Sequence, residues 1–124
     1  MDLLGQSAAV LVVEDEPVTR MCAVATIEDA GFKVYGAANA DEALGLLAEC
    51  VDVCVLFTDV DLPGSMDGVA LAHYAHSYRP IEIIVTSGHR RIVTKDLPPN
   101  AVFMEKPYLP SHLVETLGRL RPSH

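Results

Sequence analysis

The sequence predicts one α/β domain built on a parallel β-sheet, and three observations support this. Its 124 residues, half of them hydrophobic, are enough for one compact domain and too few for two. Short apolar runs of strand length alternate along the chain with segments in which apolar residues recur at helical spacing. Three of these runs, at 8–13, 53–58 and 81–86, are nearly continuous and rich in Val and Ile. Such runs are typical of strands that helices cover on both faces.

Five strands and four clear helices follow from these patterns. The strands are predicted at 8–13, 32–35, 53–58, 81–86 and 101–104. The helices are predicted at 16–30, 40–50, 67–78 and 109–120. In the first helix the apolar stripe consists of Val18, Met21, Cys22, Ala25 and Ile27, and Gly31 suits its C-terminal end.

The segment 89–100 has a weaker pattern. Ile92 and Val93 are its only aliphatic residues before Leu97, and Pro98-Pro99 stops any helix. One or two helical turns are the most that we expect there. Few buried contacts imply low local stability, so the segment is predicted to be mobile and to respond most when the protein changes state.

Strict alternation of strands and helices implies a parallel sheet with right-handed crossovers. This order predicts the flavodoxin-like doubly wound fold, with strand order 2-1-3-4-5 and a short or irregular fourth helix at 89–100. The whole chain, 1–124, is then one domain with its core at about 8–120. The carboxyl ends of strands 1, 3, 4 and 5 then meet. Ligands bind such folds where the strand order reverses, here between strands 1 and 3.

Charge and composition exclude several classes of function. Acidic residues outnumber basic ones by 17 to 9, which gives a net charge of −8. This charge disfavours binding to nucleic acid or to an anionic membrane, and it favours binding to a cation. No apolar stretch reaches the length of a membrane span, and no basic segment precedes the first apolar run. The three cysteines show no metal-site spacing, so we expect buried, reduced thiols in a cytoplasmic protein.

Acidic residues follow two of the strands whose ends should meet. Strand 1 is followed by Glu14-Asp15-Glu16-Pro17, and strand 3 ends in Thr58-Asp59. Acids at a helix start also favour the helix dipole, and Asp15 can serve as the N-cap there. Carboxylates brought together repel one another, and a divalent cation relieves that repulsion. Oxygen ligands of this kind suit Mg²⁺.

The other two strand ends add a hydroxyl group and a cation. Strand 4 ends in Thr86-Ser87, and strand 5 is followed by Lys106-Pro107. A lysine there supplies a point charge for a phosphoryl oxygen, although any single lysine is ordinarily just solvated. The combination from four strand ends is far more specific than any one of its members.

These segments resemble the receiver domain of two-component response regulators over nearly the whole chain. The resemblance covers residues 10–17, with the acidic pair, and residues 57–64, with a proline four residues after Asp59. It also covers residues 66–68, at the start of the third helix, and the step Lys106-Pro107.

The resemblance implies a role for each matching position. Asp59 would be the phosphoacceptor nucleophile, and Lys106 would contact the phosphoryl group. Mg²⁺ would be held by Glu14, directly or through water, by Asp15, by Asp59 and by the backbone carbonyl of Asp61. A hydroxyl at the end of strand 4 would bind the phosphoryl group, and Phe103 would then change rotamer. The donor would be the phosphohistidine of a histidine kinase or histidine phosphotransfer protein, and slow autodephosphorylation would reset the switch.

The chain departs from the family pattern in three places. The loop after Asp59 is one residue longer than usual, and the family's fourth helix, which corresponds to 89–100 here, is degraded. At the end of strand 4, two neighbouring residues carry a hydroxyl that could bind the phosphoryl group. Aligning Ser87-Gly88-His89 with the frequent Ser-Gly-His pattern favours Ser87 as the switch residue, and Thr86 is the alternative.

The leading interpretation is a stand-alone bacterial signalling switch rather than an enzyme. Since only four residues follow Leu120, we expect no output domain in this chain, and a domain cut from a larger regulator or a hybrid kinase is the alternative. We expect a monomer or weak dimer with a downstream protein target. A haloacid-dehalogenase-like phosphatase, using Asp59 and Asp61 as its Asp-x-Asp pair, is the alternative. A flavin-binding electron carrier is disfavoured because the acids at 14–16 would repel the flavin phosphate.

Overall fold

The computed structural model describes residues 8–88 and 94–120, and its sheet has the predicted order. Five parallel strands are arranged β2-β1-β3-β4-β5. The strands are β1 (Ala9–Val13), β2 (Lys33–Ala37), β3 (Val53–Asp59), β4 (Glu82–Ser87) and β5 (Val102–Glu105). The fold class predicted from the alternation of strands and helices is therefore confirmed.

Helices cover both faces of this sheet. They are α1 (Pro17–Asp29), α2 (Ala40–Glu49), α3 (Gly68–Tyr78) and α4 (Pro110–Leu120). One buried core lies between the sheet and α2 with α3, and a second lies between the sheet and α1 with α4. Within the described ranges, no helix is both long enough and apolar enough to cross a membrane.

The described part of the connection between β4 and β5 contains a single helical turn, within the one or two turns expected for it. Residues 89–93 lie outside the described residues, and 94–96 form a single 3₁₀ turn. Leu97 is buried against the α2–α3 core, and the His73 ring on α3 donates a 2.7 Å hydrogen bond to the carbonyl of Asp96. The predicted mobility of 89–100, and its response to a change of state, remain predictions.

The predicted apolar stripe of α1 is confirmed at Ile27 and wrong at Val18, Met21, Cys22 and Ala25, none of which is buried. Val18 and Met21 are 64% and 67% exposed, and Cys22 is exposed as well, whereas Ala23 and Ile27 are the buried residues of the helix. Apolar side chains occur around the whole circumference of α1, so spacing alone does not identify the packed face. Cys22 is consequently not the buried thiol that composition suggested.

Candidate functional site

The strand register brings three polar side chains into a row at the carboxyl end of the sheet. Val13 lies opposite Thr58, so Glu14 follows at the level of Asp59, and Asp59 lies opposite Thr86. Side chains at matched positions of parallel strands point to the same face. Glu14, Asp59 and Thr86, here called the edge row, therefore lie side by side on the face that α1 and α4 cover.

Three acidic residues converge at the edge row. Glu14, Asp15 and Asp59 each offer a carboxylate oxygen, and these three oxygens lie within 4.8 Å of one another. Glu14 and Asp59 are each only 6% exposed, while Asp15 is exposed to solvent. A set of oxygen donors that is open on one side fits Mg²⁺, which keeps several of its waters when protein carboxylates bind it.

Lys106 is the cation of this cluster. Its Nζ donates to Glu14 Oε1 at 2.9 Å and to Asp59 Oδ2 at 3.1 Å. Burial lowers the pKa of Lys106, but the hydrogen bonds to the two carboxylates outweigh burial and leave that pKa raised. The lysine is therefore charged at neutral pH, and one cation faces three acids.

Backbone groups hold the two buried carboxylates from the other side. Glu14 Oε2 accepts from the backbone N–H of Glu16 at 3.1 Å, and Asp59 Oδ1 accepts from that of Asp61 at 3.3 Å. Burial raises the pKa of Glu14, and the bonds from Lys106 and Glu16 offset this only in part. The carboxylates are thus fixed in position, while the charge on Glu14 remains unfavourable.

The N-cap of α1 is Glu16, and the sequence suggestion of Asp15 is wrong. Glu16 Oε1 accepts from the backbone N–H and from the hydroxyl of Thr19, both at 2.7 Å. Proline has no N–H and suits the first position of the helix, and the backbone N–H of Thr19, at the third position, donates the capping bond. The Asp15 carboxylate belongs instead to the acidic cluster.

Gly68 allows α3 to begin directly against Asp59, a constraint that sequence reasoning missed. Its N–H donates to Val60 O at 2.8 Å. A Cβ atom at this position would overlap the backbone carbonyl of Asp59 and would lie 2.8 Å from the Cα of Val60. The triplet 66–68 marks the helix start in the sequence, but the close approach to Asp59 depends on tertiary packing. The longer loop before α3 includes Gly64, whose φ of 96° lies in the left-handed region.

Tyr108 is a second residue that sequence reasoning missed. Its ring meets Phe57 edge-on, with the ring centroids 5.8 Å apart, and it lies against the edge row. Burial raises the pKa of its hydroxyl. The only sequence signal is an aromatic residue directly after Lys106-Pro107.

The two hydroxyl residues at the end of β4 face opposite sides of the sheet. Thr86 belongs to the edge row and is 3% exposed, while Ser87 is fully buried. Side chains alternate along a strand, so Ser87 points to the same face as Val85, which lies opposite Phe103 in β5. Both Val85 and Phe103 pack in the α2–α3 core. Ser87 and Phe103 thus share a face, and Thr86 is on the other.

An apolar surface lies beside the site. A groove of about 500 Å³ separates α1 from the segment after β5, and Ala23, Lys106 and Tyr108 are among its lining residues. Exposed Met21 lies on the same helix, and Leu109 beyond β5 is 69% exposed. Lys106 belongs both to the groove and to the acidic cluster, so the groove borders the cluster.

Comparison with known proteins identifies the family. The sequence profile of the response regulator receiver domain matches residues 10–117. The chain belongs to this family. As a receiver domain it is a component of two-component signalling, and its family is one of signalling switches. These similarities give no support to the haloacid-dehalogenase alternative.

Similar proteins extend this assignment. The sensor kinase CckA of Brucella abortus is 36% identical in an alignment 124 positions long, which covers 96% of this chain and 13% of that protein. The putative response regulator NtrX-like of Rickettsia bellii is 36% identical in an alignment 118 positions long, which covers 89% of this chain and 24% of that protein. The chain thus spans less than a quarter of the length of these two relatives.

Solved structures agree. The receiver domain of the hybrid histidine kinase CckA superposes with a TM-score of 0.80 and 27% identity, covering 93% of this chain and 100% of that one. The Vibrio cholerae chemotaxis protein CheY4 superposes with a TM-score of 0.81 and 27% identity, covering 91% of this chain and 98% of that one. A receiver protein from Sinorhizobium medicae, at 24% identity, shares the fold with a TM-score of 0.85 over 91% of this chain and 93% of that one.

Proposed function

We propose that this receiver domain takes a phosphoryl group onto Asp59 from the phosphohistidine of a histidine kinase or histidine phosphotransfer protein. The observation on which this depends is the position of Asp59. Its carboxylate is buried at the end of β3, 3.1 Å from the Lys106 ammonium, and shares an acidic cluster with Glu14 and Asp15. None of the other acids in the cluster terminates a strand.

The chemistry asks for positioning and charge neutralisation. One Asp59 oxygen attacks phosphorus, the bond from phosphorus to the histidine nitrogen breaks, and the ring, protonated on its other nitrogen, leaves as neutral imidazole. Lys106 lies where it can neutralise charge on the transferred group, and the Asp61 N–H orients the carboxylate. Mg²⁺ held by Glu14, Asp15, Asp59 and the Asp61 carbonyl supplies the remaining positive charge when bound.

The switch that reads the phosphoryl group is Ser87 together with Phe103. Ser87 is at the end of β4, one strand from Asp59, and it shares a sheet face with Phe103. Movement of Ser87 towards the phosphoryl group would leave space into which Phe103 follows. The segment 89–100, with β5 and α4, is then the surface that a downstream protein reads. Thr86, the alternative switch residue, is on the opposite face from Phe103.

The phosphodonor docks on the apolar surface beside Lys106. Val18 and Met21 on α1 and Leu109 beyond β5 are exposed on the two segments that line the groove. A donor must approach Asp59 closely for transfer, and Lys106, which lines the groove, contacts Asp59. Exposed apolar groups in one area of a surface are typical of sites of protein association. The protein works in the cytoplasm as a monomer or weak dimer, and slow hydrolysis of the aspartyl phosphate ends the signal.

Phosphorylation in the presence of Mg²⁺ tests the proposal. Wild-type protein and the variants Asp59→Asn and Asp61→Asn would be incubated with a histidine kinase or a small phosphodonor, and base-labile label would be counted. We expect labelling of wild type and of Asp61→Asn, whose backbone carbonyl is intact, and none of Asp59→Asn. Steady turnover of a generic phosphomonoester, lost in both variants, would support the phosphatase alternative instead.

A further inference from the structure

The hydroxyl of Thr86 is an unusual group in this fold. Thr86 is only 3% exposed, and within the described part of the chain its Oγ1 has no hydrogen-bond partner. Two other buried threonines are satisfied, because Thr58 donates to Asp59 O at 2.9 Å and Thr116 donates to His112 O at 2.8 Å.

An unsatisfied buried hydroxyl costs free energy that valine, of nearly the same shape, would not. The penalty is about 1–3 kcal/mol, and such groups are rare in native proteins. The three residues of β4 that precede Thr86 and pack inward, Ile83, Ile84 and Val85, are all aliphatic. A hydroxyl at this place therefore calls for a partner that is not a protein atom.

A small cavity lies next to this hydroxyl. Its volume is about 10 Å³, and its lining includes the whole edge row, Glu14, Asp59 and Thr86, together with Phe57 and Tyr108. This is about the minimum volume that one water molecule needs. A buried water needs two to four polar partners, and the lining supplies three, namely two carboxylates and a hydroxyl.

We propose that Thr86 is a positioning residue that holds the Asp59 carboxylate through one water molecule in this cavity. Thr86 donates its hydroxyl proton to the water, and the water donates its two protons to the carboxylates of Glu14 and Asp59. The water thus adds a third hydrogen bond to the Asp59 carboxylate, besides those from Lys106 and the Asp61 N–H. The consequence for phosphorylation rests on the proposed function of Asp59, whereas the water bridge does not.

Three threonine variants test the kinetic consequence. Thr86→Val removes the hydroxyl, Thr86→Ser retains it, and Thr116→Val is the matched control for loss of a buried hydroxyl far from the site. Single-turnover phosphorylation by a small phosphodonor would be measured at saturating Mg²⁺. We expect the maximal rate of Thr86→Val to fall about three- to ten-fold, as loss of one hydrogen bond implies. The half-saturating donor concentration should not change, Thr86→Ser should restore the rate, and Thr116→Val should match wild type. A Thr86→Val variant as fast as wild type would overturn the positioning role.

Crystal structures of wild type and Thr86→Val at high resolution test the bridge itself. We expect a water within hydrogen-bond distance of Thr86 Oγ1 and of the Asp59 carboxylate in wild type, and its loss in the variant. A Thr86 hydroxyl bonded directly to a protein atom, with no water in the cavity, would refute the bridge. If wild type took up no phosphoryl group on Asp59, the proposed function would fail, and the crystal structures would still decide the bridge.

Discussion

Two charged clusters lie at opposite ends of the sheet, and they differ in their balance of charge. At the amino end, Lys33 Nζ is 3.0 Å from Asp52 Oδ2, and the Tyr35 hydroxyl donates to both Asp52 oxygens at 3.0 and 3.1 Å. One lysine there faces one acid. At the carboxyl end one lysine, Lys106, faces three acids. The amino-end cluster is complete in itself, while the carboxyl-end cluster needs further positive charge.

The pKa directions of the two clusters express the same difference. At the amino end, burial raises the pKa of Asp52, but the hydrogen bonds from Lys33 and Tyr35 outweigh burial and hold that pKa below its ordinary value. At the carboxyl end, burial raises the pKa of Glu14 and Lys106 does not compensate. Charge on Asp52 thus favours folding and charge on Glu14 opposes it. Stability sacrificed at one end of a fold is a common property of functional sites.

Among variants at the two ends of the sheet, the largest effect should come from the close packing at the carboxyl end. Gly68→Ala forces a Cβ atom into the backbone of Asp59 and Val60, and we expect a loss of about 3 kcal/mol in the free energy of unfolding. Urea denaturation measures it. The control is Gly45→Ala in α2, where a Cβ meets nothing within 4 Å and a small gain in stability is expected. Equal stability of the two variants would mean that α3 does not press on Asp59.

The next largest effect is the stabilisation by Mg²⁺, which should depend on the carboxyl-end cluster and not on the amino-end cluster. A cation that binds only the folded protein stabilises it by about 1.4 kcal/mol at ten times its dissociation constant. Thermal melts at increasing Mg²⁺ should show this rise in wild type and in Asp52→Asn, and a much smaller rise in Asp15→Asn. An identical rise in all three proteins would show that the acidic cluster does not bind the metal.

The pH dependence of stability should have opposite signs at the two ends. Because the folded protein holds the Glu14 proton more tightly than the unfolded chain, ionised Glu14 lowers stability as pH rises above 4.5, its ordinary pKa. Relative to wild type, Glu14→Gln should therefore gain about 1 kcal/mol over that rise. The pKa of Asp52 is lowered in the folded protein. Ionised Asp52 therefore stabilises the fold above pH 3.8, its ordinary pKa, and this stabilisation is lost as pH falls through the pKa of the folded state.

Asp52→Asn should accordingly lose about 0.5–1 kcal/mol relative to wild type near neutral pH, and this deficit should shrink in acid. Urea denaturation of the three proteins from acid to neutral pH measures both slopes. Slopes of the same sign for Glu14→Gln and Asp52→Asn would break the contrast between the two ends.

The smallest effect concerns the exposed face of α1 beside the site. Met21→Ser should change the free energy of unfolding by less than about 0.5 kcal/mol, since Met21 is 67% exposed. Ile27→Ala on the buried face should cost about 2–4 kcal/mol. Phosphotransfer from a kinase should nevertheless slow in Met21→Ser, while labelling by a small phosphodonor should not. A large loss of stability in Met21→Ser would restore the stripe that the sequence suggested.

The sheet and the convergence of its strand-end side chains could be predicted because their signals are local. Continuous Val- and Ile-rich runs mark the buried strands, and the polar residues that follow β1 and β3 must meet once the sheet is parallel and doubly wound. Glu14, Asp15 and Asp59 meet for this reason, and Lys106, which follows β5, reaches Glu14 and Asp59.

The remaining features depend on contacts that no local pattern contains. The packed face of α1 is decided by its neighbours in the folded protein, which bury Ala23 and Ile27 and leave Met21 exposed. The need for glycine at position 68 arises because α3 begins against Asp59. The orphaned hydroxyl of Thr86 is apparent only when the atoms around it are known.

Mapping of the phosphoryl group tests the central claim most directly. The protein would be phosphorylated with Mg²⁺ present, the aspartyl phosphate would be reduced with borohydride to homoserine, and the modified residue would be located by peptide mass spectrometry. The account predicts modification at Asp59, with none in protein treated without Mg²⁺. Modification at another residue, or labelling of wild type and Asp59→Asn to the same extent, would contradict it.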